Sequence, residues 1–195
     1  MFSSGKRISL GQLLSLAVSI VLFDQVTKIL VKGSSFFGIN GIPYGSSHTL
    51  LGDFLRVTYI ENPGIAFSIN IPGMKIFFSL FSVIASIGIF IYIKRNRFRL
   101  PKWQLIALAM IMGGAIGNFI DRGFYGVLYG EESLFYGHVV DFIDFGYKKN
   151  WFAVFNIADA FVSIGVVILT FMLLKKKPQF TEQIATEEQS FPNPN

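Results

Sequence analysis

The sequence predicts an α-helical integral membrane protein with four transmembrane helices, and three observations lead to this fold class. The chain has 195 residues, of which 52% are hydrophobic and only 15% are charged, which is too apolar for an ordinary soluble domain. Four apolar segments are each long enough to cross a bilayer as a helix. Lysine and arginine cluster beside these segments, as they do in membrane proteins. We therefore expect a single membrane domain over residues 1–195.

The first predicted span begins like a secretory signal peptide, but no small-residue cleavage site follows it, so we expect it to be retained. It contains Asp24 and Lys28, which lie four residues apart on one helix face and can neutralise each other. The four predicted spans cover residues 8–31, 75–93, 103–121 and 152–174.

Two long polar segments, residues 32–74 and 122–151, connect the spans. In the first, residues 55–61 are β-branched and aromatic, and a turn at residues 62–64 separates them from a second extended run at residues 65–71. This pattern predicts two strands of a small sheet outside the membrane. The polar tail, residues 178–195, is expected to be disordered.

The basic residues predict the orientation of the chain in the membrane. Three basic segments, at residues 6–7, 94–102 and 175–177, are separated from one another by two spans each, so all three lie on one side. Positive charge in short loops favours the cytoplasm. Both termini are therefore predicted to be cytoplasmic, with the two long loops on the extracytoplasmic side.

This topology brings polar side chains from five separate segments to one level near the extracytoplasmic surface. Ionisable groups at that depth are costly and point to function. Asn156 and Asp159 could instead be ordinary helix-capping residues, but helix caps need not agree in depth. The residues concerned are Asp24, Lys28, Asn62, Asn118, Asp121, Arg122, Asp141, Asn156 and Asp159.

Composition excludes several kinds of chemistry. The chain has no cysteine, so thiolate nucleophiles and thiolate metal sites are ruled out. His48 and His138 lie far apart and show no metal-binding spacing, so we expect neither a metal nor a cofactor. The net charge of +5 belongs to the segments that flank the spans, so nucleic acid is not an expected partner.

Paired aspartates are the best remaining candidates for catalysis. Two close carboxyl groups share one proton, so that one activates water and the other donates a proton. Asp24 and Asp121 each lie near a cation in sequence, Lys28 and Arg122, and are therefore better explained as structural ion pairs. Residue chemistry alone leaves open which of the others form the pair, among Asp141, Asp144 and Asp159.

The motifs resemble the family of lipoprotein signal peptidase, also called signal peptidase II, of the bacterial cytoplasmic membrane. Five motifs occur in the family's order and cover the chain from the first span to the fourth. They are residues 24–28 (DQVTK), 62–67 (NPGIAF), 113–122 (GGAIGNFIDR), 139–142 (VVDF) and 155–159 (FNIAD).

The resemblance implies an aspartic endopeptidase with four spans and an extracytoplasmic β-sheet cradle. Its substrates would be diacylglyceryl-modified prolipoproteins, cleaved just before the lipidated cysteine. We expect a monomer that contacts membrane lipids. By position, Asp141 and Asp159 would be catalytic. The residues that line or support the site would be Asp24, Lys28, Asn62, Gly64, Asn118, Asp121, Arg122 and Asn156.

One departure from the family pattern is an apparent insertion at residues 123–137, which is rich in aromatic residues. We interpret it either as a lid over the bound peptide or as an interfacial anchor without a catalytic role. Three other functions were weighed against the peptidase: a Mg²⁺-dependent phosphotransferase, a proton-coupled carrier, and a structural assembly protein.

Overall fold

A computed structural model of the protein describes residues 7–64, 74–147 and 150–175. Within these residues, four helices are long and apolar enough to cross a membrane, which confirms the predicted fold class. They are α1 (Leu10–Lys32), α2 (Met74–Asn96), α3 (Lys102–Ile120) and α5 (Ile157–Lys175). The third span continues beyond α3 through a π-helix (Asp121–Tyr125) and the short helix α4 (Gly126–Leu128).

The helix α1 has clear signals at both ends. Ser9 and Gln12 form a capping box, in which each side chain accepts a hydrogen bond from the other residue's backbone N–H, at 3.1 and 2.9 Å. The helix ends at Gly33, whose φ of 86° lies in the left-handed region. These signals fix the helix that carries Asp24 and Lys28.

Glycines bring α3 into close contact with its neighbours. A Cβ atom added at Gly113 would lie 2.9 Å from the carbonyl oxygen of Ala17 in α1. One added at Gly114 would lie 2.4 Å from the carbonyl oxygen of Ala158 in α5. Small residues at such crossings let membrane helices pack backbone to backbone. The helix α3 therefore lies between α1 and α5.

A small antiparallel sheet lies at one end of the helices, with the strand order β1-β2-β3-β4. Its three main strands are β1 (Ser47–Leu51), β2 (Leu55–Asn62) and β3 (Val139–Tyr147), and β4 (Asn150–Trp151) pairs only with the end of β3. In the central pairing, Ile60 lies opposite Asp141 and Asn62 lies opposite Val139. The predicted strand at residues 55–61 is thus present.

The strand β2 pairs with β1 on one side and with β3 on the other. The second extended run expected at residues 65–71 lies outside the described residues, so that strand stays a prediction. The same holds for the predicted disordered tail, residues 178–195, and for the basic residues Lys6, Lys176 and Lys177. The cytoplasmic position of the termini stays a prediction.

The last span begins at Ile157, later than the boundary expected at about residue 152. The preceding segment is held by the sheet instead. The backbone N–H of Phe152 donates to the carbonyl of Phe145 at 2.8 Å, and Phe155 exchanges backbone hydrogen bonds with Ile143 at 2.7 and 3.1 Å. These contacts dock the start of α5 against β3.

Candidate active site

Asp141 and Asp159, called here the aspartate pair, are brought together by the docking of α5 against β3. Asp141 lies in the middle of β3 and is 1% exposed, whereas Asp159 lies in the first turn of α5 and is half-buried. Asn156 connects them. Its Nδ2 donates to Oδ1 of Asp141 at 2.6 Å, and its Oδ1 accepts from the backbone N–H of Asp159 at 2.9 Å.

The same asparagine is also the N-cap of α5. Besides accepting the hydrogen bond from the Asp159 backbone, Asn156 donates its own backbone N–H to Oδ2 of Asp159 at 3.4 Å. This reciprocal arrangement is a capping box. Capping and participation in the polar centre, which the sequence presented as alternatives, therefore occur together.

Asn118 joins the aspartate pair to α3. Its Nδ2 donates to Oδ1 of Asp159 at 2.7 Å. Its Oδ1 accepts two hydrogen bonds, from Nδ2 of Asn156 at 3.1 Å and from Nζ of Lys28 at 3.0 Å. Because Oδ1 accepts two hydrogen bonds and Nδ2 donates one, the orientation of the amide is fixed.

Lys28 is the cation at the base of this network. Its Nζ lies 2.8 Å from Oδ2 of Asp24 and 2.7 Å from Oδ2 of Asp121, and all three side chains are completely buried. The prediction that Asp121 would pair with the adjacent Arg122 is therefore wrong. The reason is that α1 and α3 pack closely enough for Lys28 to reach Asp121. A buried charge requires such close partners.

Asp24 and Asp121, which form the ion pairs with Lys28, also bind the backbone next to the aspartate pair. Oδ1 of Asp24 accepts from the N–H of Ala158, the residue before Asp159, at 2.9 Å. Oδ2 of Asp121 accepts from the N–H of Val140, the residue before Asp141, at 3.1 Å. The ion-paired residues thus position the backbones that carry the pair.

Gln25 also supports this arrangement, although the sequence analysis did not single it out as a site residue. Its Nε2 lies 3.1 Å from Oδ2 of Asp24 and 2.9 Å from Oδ1 of Asp121, and its Oε1 accepts from the hydroxyl of Tyr125 at 3.0 Å. Its position beside Asp24 in the first motif is the sequence signal that could have identified Gln25 as a site residue.

Asn62 reaches Asp141 from the sheet. Its Nδ2 donates to Oδ2 of Asp141 at 3.2 Å, while its Oδ1 accepts from the backbone N–H of Gly64 at 2.9 Å. Gly64 adopts a φ of 85°, which strains any residue with a side chain. A Cβ atom there would lie 3.9 Å from Nε of Arg122. The turn therefore places Asn62 and Arg122 on the same side of the site.

Arg122 lies close enough to the aspartate pair to interact electrostatically with both carboxylates. Its guanidinium lies 5.9 Å from the ring centroid of Phe78. Its Nε atom is buried and, within the part of the chain that the structure describes, has no hydrogen-bond partner. A donor is thus available at the site.

Asp144 belongs to a different environment. It lies three residues from Asp141 on the same strand, which places the two side chains on opposite faces. Its Oδ2 accepts from the hydroxyl of Thr58 at 2.7 Å and lies 4.0 Å from Nε of Arg56. This carboxylate does not share the network around Asn156.

The environment of Asp141 raises the pKa of its carboxyl group to about 7. Burial is the main cause, and the nearby carboxylate of Asp159 adds to it. Hydrogen bonds from Asn62 and Asn156 oppose the shift without cancelling it. The carboxyl group of Asp141 therefore stays protonated to a higher pH than an ordinary aspartate does.

The inserted segment, residues 123–137, is fastened at several points. Glu131 lies 2.8 Å from Nζ of Lys32, and Glu132 lies 3.3 Å from Nζ of Lys75. The hydroxyl of Ser79 donates to the carbonyl of Phe135 at 3.3 Å. These contacts attach the inserted segment to both α1 and α2. Its function as a lid stays a prediction.

Four spans, a sheet at one end and a polar centre that holds two aspartates define an integral membrane protein with side chains suited to acid–base chemistry. Known proteins match this description. The model of the signal peptidase II family matches residues 16–175 of the chain. Lipoprotein signal peptidases of Staphylococcus aureus strains MRSA252 and JH9 are each 35% identical over 173 residues, which cover 87% of this chain and 92% of theirs.

Solved structures agree. Two structures of bacterial membrane enzymes, each 33% identical in sequence, superpose with TM-scores of 0.68 and 0.67. Each covers 90% of this chain, which in turn covers 97% and 100% of theirs. The chain therefore belongs to the signal peptidase II family: it is a peptidase of a bacterial membrane that removes signal peptides from prolipoproteins.

Proposed function

We propose that the protein is an aspartic endopeptidase in which Asp141 and Asp159 are the catalytic residues. The observation that carries this proposal is a pair of amides that joins the two residues. Asn156 binds the Asp141 carboxylate at 2.6 Å and the Asp159 backbone N–H at 2.9 Å, and Asn118 donates to the Asp159 carboxylate at 2.7 Å. Aspartates that share a proton can activate water without a covalent intermediate. The substrates are diacylglyceryl-modified prolipoproteins, cleaved just before the lipidated cysteine.

The unequal burial of the aspartate pair supports a division of roles. Asp159 is the more exposed and lines an open concavity with Ser163 and Ile164, so it is the member that water reaches. It acts as the general base and removes a proton from the water that attacks the peptide carbonyl carbon. Asp141 is buried, which raises the pKa of its carboxyl group, and it donates its proton to the carbonyl oxygen.

The tetrahedral intermediate then breaks at the carbon–nitrogen bond. The proton taken up by Asp159 passes to the leaving amine, and the hydroxyl proton of the intermediate returns to Asp141, so the pair regains its starting state. Arg122 can stabilise the negative charge that develops on the carbonyl oxygen, because its Nε is an available donor among the described residues.

The distribution of basic residues in the sequence supports an orientation for the enzyme in the membrane. We place it in the cytoplasmic (inner) membrane as a monomer, with the aspartate pair toward the extracytoplasmic face. The residues that bind substrate or support the pair are Asp24, Lys28, Asn62, Gly64, Asn118, Asp121, Arg122 and Asn156.

Cleavage of a diacylglyceryl-modified prolipoprotein by the purified protein, with a chelator present, tests the proposal. Wild type is expected to cleave before the lipidated cysteine, and Asp141→Asn and Asp159→Asn to abolish cleavage. Asp144→Asn is the matched control, because Asp144 lies on the same strand but outside the network, and it should retain activity. Cleavage by either variant of the pair, or a requirement for metal, would contradict the mechanism.

A further inference from the structure

The open concavity beside Asp159 contains a second polar side chain, Ser163, to which the mechanism gives no role. The concavity has a volume of about 440 Å³ and is also lined by Ala153 and Ala160, whose small side chains leave room for a peptide to approach α5. Residues four apart lie on one face of a helix. Ser163 therefore lies on the same side of α5 as Asp159, one turn further along the helix.

Ser163 differs from the serines of α2 in its hydrogen bonding. Ser79, Ser82 and Ser86 each donate to the carbonyl four residues earlier, at 3.0, 2.9 and 2.7 Å. Ser163 is exposed and has no hydrogen-bond partner in the part of the chain that the structure describes. A polar group in a membrane segment is costly when it lacks a partner. The hydroxyl of Ser163 is thus a donor that a bound ligand can use.

The position of Ser163 along α5 matches the part of the substrate that precedes the bond to be cut. A helix rises about 1.5 Å per residue, so Ser163 lies about 6 Å further from the sheet than Asp159. A signal peptide enters the membrane as a helix and has to end as a helix before the scissile bond. Its last carbonyl groups then lack intrahelical donors, and in lipid they need donors from the enzyme.

We propose that Ser163 binds the substrate by donating its hydroxyl to a backbone carbonyl of the signal peptide, which rests on the aspartic peptidase function proposed above. An extended peptide covers about 3.3 Å per residue, so the acceptor lies about two residues before the bond that is cut. Ser163 is in this way a specificity-determining residue. It favours signal peptides that are already extended at this point.

Cleavage kinetics of the full chain in detergent test the proposal. Ser163→Ala and Ser163→Val remove the hydroxyl, whereas Ser163→Thr keeps it in a side chain with the shape of valine. Without the hydroxyl, kcat/KM is expected to fall about fivefold, which is the typical effect of one neutral hydrogen bond, and most of the change should be in KM. Ser163→Thr should stay near wild type. Ser19→Ala, at an exposed serine of α1, is the matched control.

Changes in the substrate identify the acceptor. A thioamide two residues before the cut is a weaker acceptor, so it should lower kcat/KM for wild type and have little further effect in Ser163→Ala. A substrate with ether-linked lipid chains has no ester carbonyl. The loss caused by Ser163→Ala should persist with it, because the acceptor is in the peptide.

Equal kcat/KM in Ser163→Ala, Ser163→Val and wild type would overturn this inference. A loss in Ser163→Thr as large as in Ser163→Val would overturn it as well, since the effect would then be steric. So would a loss that disappears with ether-linked lipid, which would assign the hydroxyl to an ester. None of these results touches the proposed function, which fails instead if Asp141→Asn or Asp159→Asn still cleaves. If Ser163→Ala does not fold, judged by thermal unfolding, Ser163→Val carries the comparison with Ser163→Thr.

Discussion

Nδ2 of Asn156 lies 2.6 Å from Oδ1 of Asp141. This hydrogen bond joins the residue that begins α5 to the buried member of the aspartate pair on β3. Because Asn156 also caps α5, one side chain sets both the start of the helix and the orientation of a candidate catalytic carboxyl group. The two roles can be separated by substitution.

We predict that Asn156→Ser keeps most of the stability and loses most of the activity. Serine caps helices about as well as asparagine, and loss of a cap costs about 1 kcal/mol, but its side chain is too short to bridge to Asp141. Asn156→Ala should lose both stability and activity. Thermal unfolding and cleavage rates of the two variants check this; equal activity in Asn156→Ser and wild type would show that the bridge is dispensable.

Cleavage is expected to decline as the pH rises above about 7. The pKa of Asp141 is raised to about 7 by burial and by Asp159, so the proton that it donates is present below that pH and lost above it. The decline should approach about tenfold per pH unit in kcat. Steady-state rates measured from pH 5 to pH 9 in one buffer system provide the test, and a rate that rises throughout would reverse the assigned roles.

Asp141→Asn should stabilise the protein at alkaline pH more than at acidic pH. The pKa of Asp141 is higher in the folded state than in the unfolded state, so ionisation of this carboxyl group favours unfolding. Its contribution to stability is fully present below the unfolded pKa of about 4. That contribution is lost as the pH rises through the folded pKa of about 7. An amide carries no charge at either pH. A shift of about 3 pKa units is worth about 4 kcal/mol in the free energy of unfolding, so the gain should be about 2.5 kcal/mol larger at pH 8 than at pH 5.

Thermal unfolding in detergent at pH 5 and pH 8 measures this difference. Asp144→Asn, on the opposite face of β3, is the control for the loss of one carboxyl group from the same strand. If the difference between Asp141→Asn and wild type is the same at both pH values, the carboxyl group does not ionise over this range.

Lys28→Met should be strongly destabilising. Removing the ammonium group leaves the carboxylates of Asp24 and Asp121 buried without their cation, and breaking such a buried pair costs about 3–5 kcal/mol. Lys75→Met removes a partly exposed ion pair with Glu132 and should cost less than about 1 kcal/mol. Comparable losses in the two variants would mean that the buried network contributes no more than a surface ion pair.

The sequence predicted the parts of this structure that depend on local pattern. Apolar length located the four spans, and β-branched residues located β2. The motif resemblance named the residues that form the network, including the pairing of Asp24 with Lys28 at a helical spacing of four. Each of these signals lies within one segment of the chain.

Features that depend on the approach of distant segments were not predictable in the same way. The contact between Lys28 and Asp121 requires α1 and α3 to pack closely, and the pairing of β2 with β3 brings Asn62 to Asp141. The delayed start of α5 results from the docking of Phe155 on β3. No local pattern encodes these distances, because they are set by packing between elements.

The order of the network along the chain has a consequence for biogenesis. Lys28 lies in α1, which is synthesised before α5, whereas Asn156 and Asp159 lie at the N-terminal end of α5. Because Asp24 accepts a hydrogen bond from the backbone of Ala158, α1 and α5 meet at the site. The proposed catalytic pair is complete only after α5 has inserted, so a nascent chain is expected to be inactive before that step.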